Sequence, residues 1–440
     1  MKGIRPRPYV QGNARGLRVE RGDCGVIGGA GLLPFRGAWD RLGIGRWLEE
    51  RTQWVGGRYG TALMVETWVM LLLYGGGRMD DLRWLGGRGI RRLFGWKSVP
   101  DPVTYGRWLR RGGERLAQVL DELLWQVVRA QWSASGVPRR VLLVLDSTVV
   151  LRYGKKQAGA VLGYNPRKRG RPSHHPLLAF LGTGECMGVR WRPGNANCAA
   201  GAQEWIEQLV RRLRKAGVER IVVRLDKGFF SQAMVRKLQD LKVEFVVKMQ
   251  ESNTLQKYKG VFSQHRKNPG LWSSEGELWG ARLLSVEERR ELSEAQGELG
   301  LGYELRKRAS VVTNVRGIGP LRGWKLYNRG AVVEHRIEEF TQLSVGKTAV
   351  DDLGGNHLLW ALGALAYGLH HFVRRTALPG RWRTAQPKTL RTWLFQMPAK
   401  LVRHARTWRV RIARDEPFAE LLLSALAAQE KLRAPPLCPA

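Results

Sequence analysis

Acidic residues are scarce in this sequence. Its 440 residues include 38 Asp and Glu against 74 Lys and Arg, a formal charge of +36. A proteome that favours Arg would explain Arg over Lys but not this surplus over acids. Self-repulsion of that size destabilises a compact state unless a polyanion offsets it, and nucleic acid is the usual polyanion. The basic residues run through the whole chain rather than one tail, which predicts extended backbone contact. Cysteine is scarcer still. Cys24, Cys186, Cys198 and Cys438 form no Cys-x-x-Cys pair and have no His at metal-ligand spacing, so neither a zinc site nor a disulfide framework is expected. Long apolar runs are missing as well. The stretches Trp68–Tyr74 and Leu358–Tyr367 are too short to span a bilayer. The opening residues, MKGIRPRPYVQGN, lack the apolar core of a signal peptide. A soluble, cytoplasmic protein with no membrane partner is predicted. What is present, 43% hydrophobic residues, suits a globular chain of two or three domains.

The stretch around which the rest is arranged is Val141–Thr148, VLLVLDST. Five apolar residues end on Asp146, as in a strand buried on both faces. Ile221–Phe229, IVVRLDKGF, repeats the pattern and delivers Asp226. Two strands that each end on an acid, far apart in sequence, predict a site assembled by the fold.

Before these strands the text is mostly helical. A strand pair is expected around Leu17–Glu20 and Gly25–Phe35, then helices at Ala38–Arg51 and Ala62–Tyr74, with short ones near Met79–Leu85 and Ile90–Phe94. A basic helix follows the turn residues at Val99–Pro102, and Glu114–Trp132 carries one apolar stripe at helical spacing. These helices are compatible with a helix-turn-helix reader or with a plain packing module. From Arg139 to Gln250 strands and helices alternate: strands at Val141–Leu145, Leu177–Gly182, Gly188–Arg192, Ile221–Leu225 and Val243–Met249, helices at Ala202–Lys215 and Ser231–Leu241. That order predicts an α/β fold with a mixed sheet. Residues 251–322 read as a β-rich insertion, with strand-like pieces at Leu278–Leu284 and Ser310–Asn314. Helices resume at Lys325–Thr341, Asn356–Arg374, Thr389–Leu401 and Glu416–Leu432. The expected organisation is 1–136, a mainly helical DNA-binding domain; 137–250, the first part of a catalytic core; 251–322, the insertion; 323–376, the second part of the core; and 377–440, a helical tail.

Asp146 and Asp226 need a third partner, and YNRGAVVEHRIEEF offers Glu334, Glu338 and Glu339. Carboxylates a few ångströms apart cannot all stay ionised without a cation. Mg²⁺ accepts one or two carboxylates and keeps positions for water and phosphate oxygens, and two such ions can clamp an in-line phosphoryl displacement. Three acids on an α/β sheet in so basic a chain therefore suggest metal-dependent cutting or joining of a phosphodiester. The bland alternative is that they are helix caps or surface ion pairs. His174 and His175, beside Pro176 at a strand entry, are expected to pack or to bind phosphate rather than a metal.

The run Leu145–Phe180, containing GYNP and GRPSHHPLLAF, with Trp191–Ile206 (WRPGNANCAAGAQEWI), Arg224–Ser231 (RLDKGFFS), Leu326–Phe340 (LYNRGAVVEHRIEEF) and Gly354–Arg375, resembles bacterial insertion-sequence transposases of the DDE type, in particular insertion-sequence family 1380. The resemblance spans about residues 20–430. It implies a ribonuclease-H-like mixed-sheet catalytic core with a β-rich insertion, flanked by N-terminal and C-terminal helical regions. Asp146 and Asp226 then correspond to the first two acids, the second within Asp226-Lys227-Gly228-Phe229, and Glu334 to the third, with Glu338 the fallback. All three would be catalytic and metal-binding. Tyr327 keeps the family's separation from Glu334, but Gly330 stands where related enzymes have Arg, with Arg329 one residue early, and Thr341 stands where they have Lys.

The implied activity is that of a DNA transposase. It binds the terminal inverted repeats of its element and cuts and joins strands using two Mg²⁺ ions, for which Mn²⁺ can substitute. The implied partner is double-stranded DNA, both element ends and target, met by a homodimer in a synaptic complex associated with the nucleoid. The departures at Gly330 and Thr341 support one rival, a catalytically inactive transposase-derived DNA-binding protein. Candidate DNA contacts are Arg167, Lys168, Arg169 and Arg171 in the basic loop after the first strand, Tyr327, Arg329 and Arg336 near the third acid, and Trp272 and Trp279 in the insertion as stacking platforms for an unpaired base.

Overall fold

The fold is known from a computed structural model that describes residues 25–154, 156–165, 168–291, 303–328, 331–343, 345–346, 348–432 and 436–437. Its centre is a nine-stranded sheet. In chain order the strands are β1 (Arg140–Ser147), β2 (Leu177–Leu181), β3 (Cys186–Arg190), β4 (Arg220–Leu225), β5 (Glu244–Lys248), β6 (Ser263–His265), β7 (Asn268–Leu278), β8 (Ala281–Glu291) and β9 (Tyr303–Thr313). Their spatial order is β3-β2-β1-β4-β5-β9-β8-β7-β6. β1, β4 and β5 run parallel, with Val141 opposite Ile221 and Val222 opposite Glu244. β2 runs antiparallel to β1, with Leu178 opposite Asp146, and β3 runs antiparallel to β2 and so in the direction of β1. The order 3-2-1-4-5 with its second strand reversed is the ribonuclease-H-like topology, a mixed α/β sheet. The insertion extends that sheet: β9 pairs antiparallel with β5, Val311 opposite Lys248, and β8 and β7 add outward.

Period-two alternation divides the core into two layers. Leu143, Leu145, Leu177, Ala179, Leu181 and Val223 face one side with helices α6 (Ala202–Lys215) and α7 (Gln232–Asp240). α6 presents Trp205, Ile206, Leu209, Val210 and Leu213 to this layer. α7 starts where the Ser231 hydroxyl accepts from the Met234 amide, a typical N-cap. Leu178, Phe180 and Val189 face the other side, with α10 (Leu353–Thr376).

α10 is buried along almost its whole length. It packs on α5 (Pro102–Ser135) and on α3 (Thr61–Tyr74), so the N-terminal helices share one core with the sheet. Small residues permit the approach: a Cβ at Gly368 would lie 2.3 Å from Leu124. α5 opens with Asp101 accepting from the amides of Val103 and Thr104, and kinks at Gly113 (φ 44°, ψ −143°). The remaining helices are α1 (Leu33–Arg41), α2 (Ile44–Thr52), α4 (Arg88–Phe94), α8 (Pro320–Asn328), α9 (Ala331–Gln342), α11 (Pro387–Leu390) and α12 (Ala419–Lys431). No helix among the described residues is long and apolar enough to cross a membrane.

Several local expectations differ from the structure, and backbone chemistry accounts for most. The helix predicted over Ala38–Arg51 is two helices that meet at Gly43 (φ 66°). Of the strand predicted in Gly25–Phe35 only Val26–Ile27 forms, before α1 begins with Pro34 in its first turn; Leu17–Glu20 lie outside the described residues. Leu278–Leu284 is a hairpin, turned at Trp279 and Gly280 (φ 55° and 72°). Lys325–Thr341 is the pair α8 and α9. Thr389–Leu401 is helical only to Phe395. Pro398 bars continuation, and Ala399–His404 pairs with Thr407–Arg411 and with Val26–Ile27.

Candidate functional site

β1 ends at Asp146, β4 hands over to Asp226, and the first turn of α9 carries Glu334. All three line one cleft of about 170 Å³, together with Arg224, Lys227, Lys248 and Tyr327. The convergence follows from topology. Parallel β1 and β4 are neighbours, so both chains leave the sheet at the same end.

Asp146 is partly buried. Its Oδ1 accepts the Ser147 amide at 2.7 Å. Burial, then the nearby charges of Asp226 and Glu334, push its pKa up to about 6, against the pull of Ser147 and Arg224. Asp226 caps a short turn, Lys227–Phe229. The local motif has a packing reason: Phe229 enters the core, and a side chain at Gly228 would meet the Cys198 sulfur at 2.8 Å. The Tyr327 hydroxyl, on α8, donates to Asp226 Oδ1 at 2.6 Å. Burial and then Asp226 push the Tyr327 pKa upward, so the hydroxyl stays a donor. Arg224 lies over the Tyr327 ring at 4.6 Å and Lys248 at 5.1 Å. Arg224 Nε is buried without a hydrogen-bond partner among the described residues.

The three candidates on α9 have different surroundings. Glu334 is exposed and also borders a second hollow of about 540 Å³, shared with Val150, Ile337, Glu338 and Trp360. Glu338 is exposed. Glu339 is 1% exposed and fully engaged: Arg336 donates at 2.7 Å, Tyr367 at 2.9 Å and Arg374 at 3.2 Å. Burial alone would raise its pKa, but Arg374, Arg336 and Tyr367 hold it below the ordinary value. Glu339 is thus a structural hub joining α9 to α10.

The other sequence-predicted residues are dispersed. Lys168 and Arg171 gather around Tyr153, with Lys168 Nζ donating to the Tyr153 hydroxyl at 3.1 Å, and Arg169 is exposed. Arg336 serves Glu339. Trp272 stacks under Arg289 at 4.4 Å, and Trp279 lies on Phe230 at 5.1 Å. Arg167 and Arg329 lie outside the described residues, as does Gly330. His174 and His175 pack internally, their Nε2 and Nδ1 atoms each 2.9 Å from the carbonyls of Ala158 and Ala196.

Sequence reasoning missed Arg192, Arg224 and Lys248. Arg192 Nη2 donates to the Ser147 hydroxyl at 3.0 Å, and its other donors reach the carbonyls of His175, Asn197, Cys198 and Ala200. It fastens the segment after β3 to the end of β1. The missed signal for Arg224 and Lys248 was a cation next to a buried apolar run, IVV in RIVVRL and FVV in EFVVK. Such a cation needs an anion or a ring.

Oxygen donors alone, on three acids that repel one another, suit a hard divalent cation. Among the described residues no three His, Cys, Asp or Glu side chains converge on a single coordination point.

The ribonuclease-H-like sheet thus carries one acid near the end of β1, another after β4 and a third on a following helix. The chain belongs to the family described as transposase DDE domain group 1, which it matches over residues 100–434. Members of that family use divalent metal ions. No curated protein matches the chain. Among solved structures, the piggyBac transposase synaptic complex with hairpin DNA aligns at a TM-score of 0.40 and 15% identity, over 83% of this chain and 79% of that one. The Mos1 transposase paired-end complex with left transposon end aligns at 0.18 and 15% identity, over 43% and 59%.

Proposed function

We propose that this transposase binds the terminal inverted repeats of its own element and catalyses metal-dependent DNA cleavage and strand transfer, with Asp146, Asp226 and Glu334 as the catalytic acids. The observation that carries the reading is their delivery into one cleft from β1, β4 and α9.

Asp146, Asp226 and Glu334 would hold two Mg²⁺ ions, or Mn²⁺ in their place. Bound there, the ions would lower the pKa of the attacking hydroxyl and offset charge on the phosphate. Arg224 and Lys248, which line the cleft, are placed to receive phosphate oxygens. Tyr327 fixes the Asp226 carboxylate through its hydroxyl. In the first step water attacks phosphorus and the P–O3′ bond breaks, leaving a 5′-phosphate and a free 3′-hydroxyl. In the second that hydroxyl attacks another phosphodiester, so one bond forms as one breaks. Lys168, Arg169 and Arg171 hold the backbone beyond the cleft. The N-terminal helices within 1–136 read the repeat, and two copies pair the ends.

The DNA flanking the gene supplies the substrate, read for short inverted repeats. Incubating the purified protein with a labelled end fragment should give cleavage at the repeat tip with Mg²⁺ and none with a chelator. Binding without cleavage in Mg²⁺ or Mn²⁺ would support the inactive DNA-binding reading instead.

A further inference from the structure

Three neighbouring large apolar side chains remain exposed in one loop. Leu162 is 62% exposed and Tyr164 72%, with Val161 beside them. No hydrogen bond or ring contact holds Tyr164 among the described residues. The loop leaves and re-enters the fold through a short strand pair, Val150–Leu151 with Ser173–His174, directly beyond Asp146 and Ser147.

The described residues of the loop are tied to their surroundings. The Ser173 amide donates to the Val161 carbonyl at 3.1 Å, and the Gly194 amide to the Gly159 carbonyl at 3.0 Å. Asn165 is buried, and its Oδ1 accepts the Lys168 amide at 3.0 Å. At Gly163 two backbones cross: a Cβ there would lie 1.9 Å from the Gly194 carbonyl oxygen. That crossing gives the two unusual runs, GYN at 163–165 and RPGN at 192–195, a shared role. They hold the backbone at Gly163, and the residues on either side of it, Leu162 and Tyr164, stand exposed. The same loop carries the exposed cations Lys156, Lys168, Arg169 and Arg171. Exposed apolar groups in a basic loop fit a polyanion with exposed flat apolar faces, namely nucleic acid with unstacked bases. A paired duplex hides those faces.

We infer that Leu162 and Tyr164 form a wedge that packs against unpaired or unstacked DNA bases next to the acid cleft. The assignment rests on the DNA reading given above and adds a preference for distorted DNA. The backbone ties around Gly163 mean that little chain entropy is lost when the wedge engages.

The test compares affinity for a fully paired duplex and for the same duplex with a short mismatched bubble, in chelator so that neither is cut. Wild type should favour the bubble by roughly tenfold. Leu162→Ala and Tyr164→Ala should each move the ratio towards one, and Tyr164→Phe should keep it. Lys168→Ala should weaken both probes alike. Equal wild-type affinity for the two probes, or an undiminished ratio in both Ala variants, would overturn the wedge while leaving DNA binding intact. Failure of wild type to bind either probe would overturn the DNA reading itself.

Discussion

Asp146 is the residue on which charge and chemistry meet. Its pKa is raised from 3.8 to about 6, first by burial and then by Asp226 and Glu334. The folded state therefore binds a proton more readily than the unfolded state. The stability this contributes is complete below about pH 3.8 and is lost as pH rises through about 6. Asp146→Asn is expected to stabilise the metal-free protein near pH 7 by about 1–2 kcal/mol, after allowance for partial exposure. Denaturant midpoints of the two proteins check this. A cation must displace the same proton, so apparent Mn²⁺ affinity should fall about tenfold per pH unit below about pH 6, measurable by calorimetry. Glu339 behaves in the opposite way. Its carboxylate is paired with two arginines and a tyrosine, so Glu339→Ala should cost about 3–5 kcal/mol, whereas exposed Glu338→Ala should stay within about 0.5 kcal/mol. The distinction between these neighbours was not legible in the sequence, where both are glutamates on one helix face or its edge. It depends on Arg374, which only the packing of α10 brings near.

At the scale of elements, the alternating stretch from Arg139 to Gln250 was legible because apolar runs and helical stripes there are dictated by burial on a sheet. α6 appears with the bounds its periodicity predicts, Ala202–Lys215. The insertion was less legible. Its strands alternate weakly, and the turn at Trp279–Gly280 lacks the usual Asn-Gly signal. The pairing of GYN with RPGN was invisible as well, since backbone contact between distant glycines leaves no periodic trace. It predicts that Gly194→Ala, whose Cβ would lie 2.1 Å from the Ser173 carbonyl oxygen, costs about 1–3 kcal/mol and lowers the thermal midpoint. α10 carries a pH response of its own. Burial depresses the His371 pKa to about 4, while its Nδ1 meets Gln131 at 3.0 Å and its Nε2 the Thr183 carbonyl at 3.3 Å. Arg374 and Arg336 lower it further and Glu185 opposes them. A depressed histidine contributes stability above its unfolded value of 6.5 that is lost as pH falls towards about 4. Unfolding free energy should decline over that window, and His371→Gln should flatten the decline.

For the whole molecule the governing facts are the charge of +36 and a large core shared by the N-terminal helices, α10 and one face of the sheet. α10 packs against α3 and α5 on one side and the sheet on the other, so the N-terminal helices and the acid cleft are mechanically joined. A DNA end gripped by those helices would be held in register with the acids. Affinity for duplex DNA should fall by about 10³-fold between roughly 50 and 200 mM salt, as counterion release requires for several phosphate contacts. A flat salt response in a filter or fluorescence assay would remove extended backbone contact from the account. The overall charge was the plainest signal in the sequence, and the family resemblance gave it a substrate. The position of α10, which joins the N-terminal helices to the sheet, was not foreseen, because it is buried on every side and has no polar face to orient it.

The central claim is that Asp146, Asp226 and Glu334 act together. The most direct measurement is the cleavage rate on a labelled element end in Mg²⁺, at saturating protein, for wild type beside Asp146→Asn, Asp226→Asn and Glu334→Gln. Each single change should lower the rate by at least about 10³-fold while the end fragment stays bound, if all three acids serve the same chemical step. A variant that cleaves at the wild-type rate would remove its residue from the site and contradict the shared-cleft account.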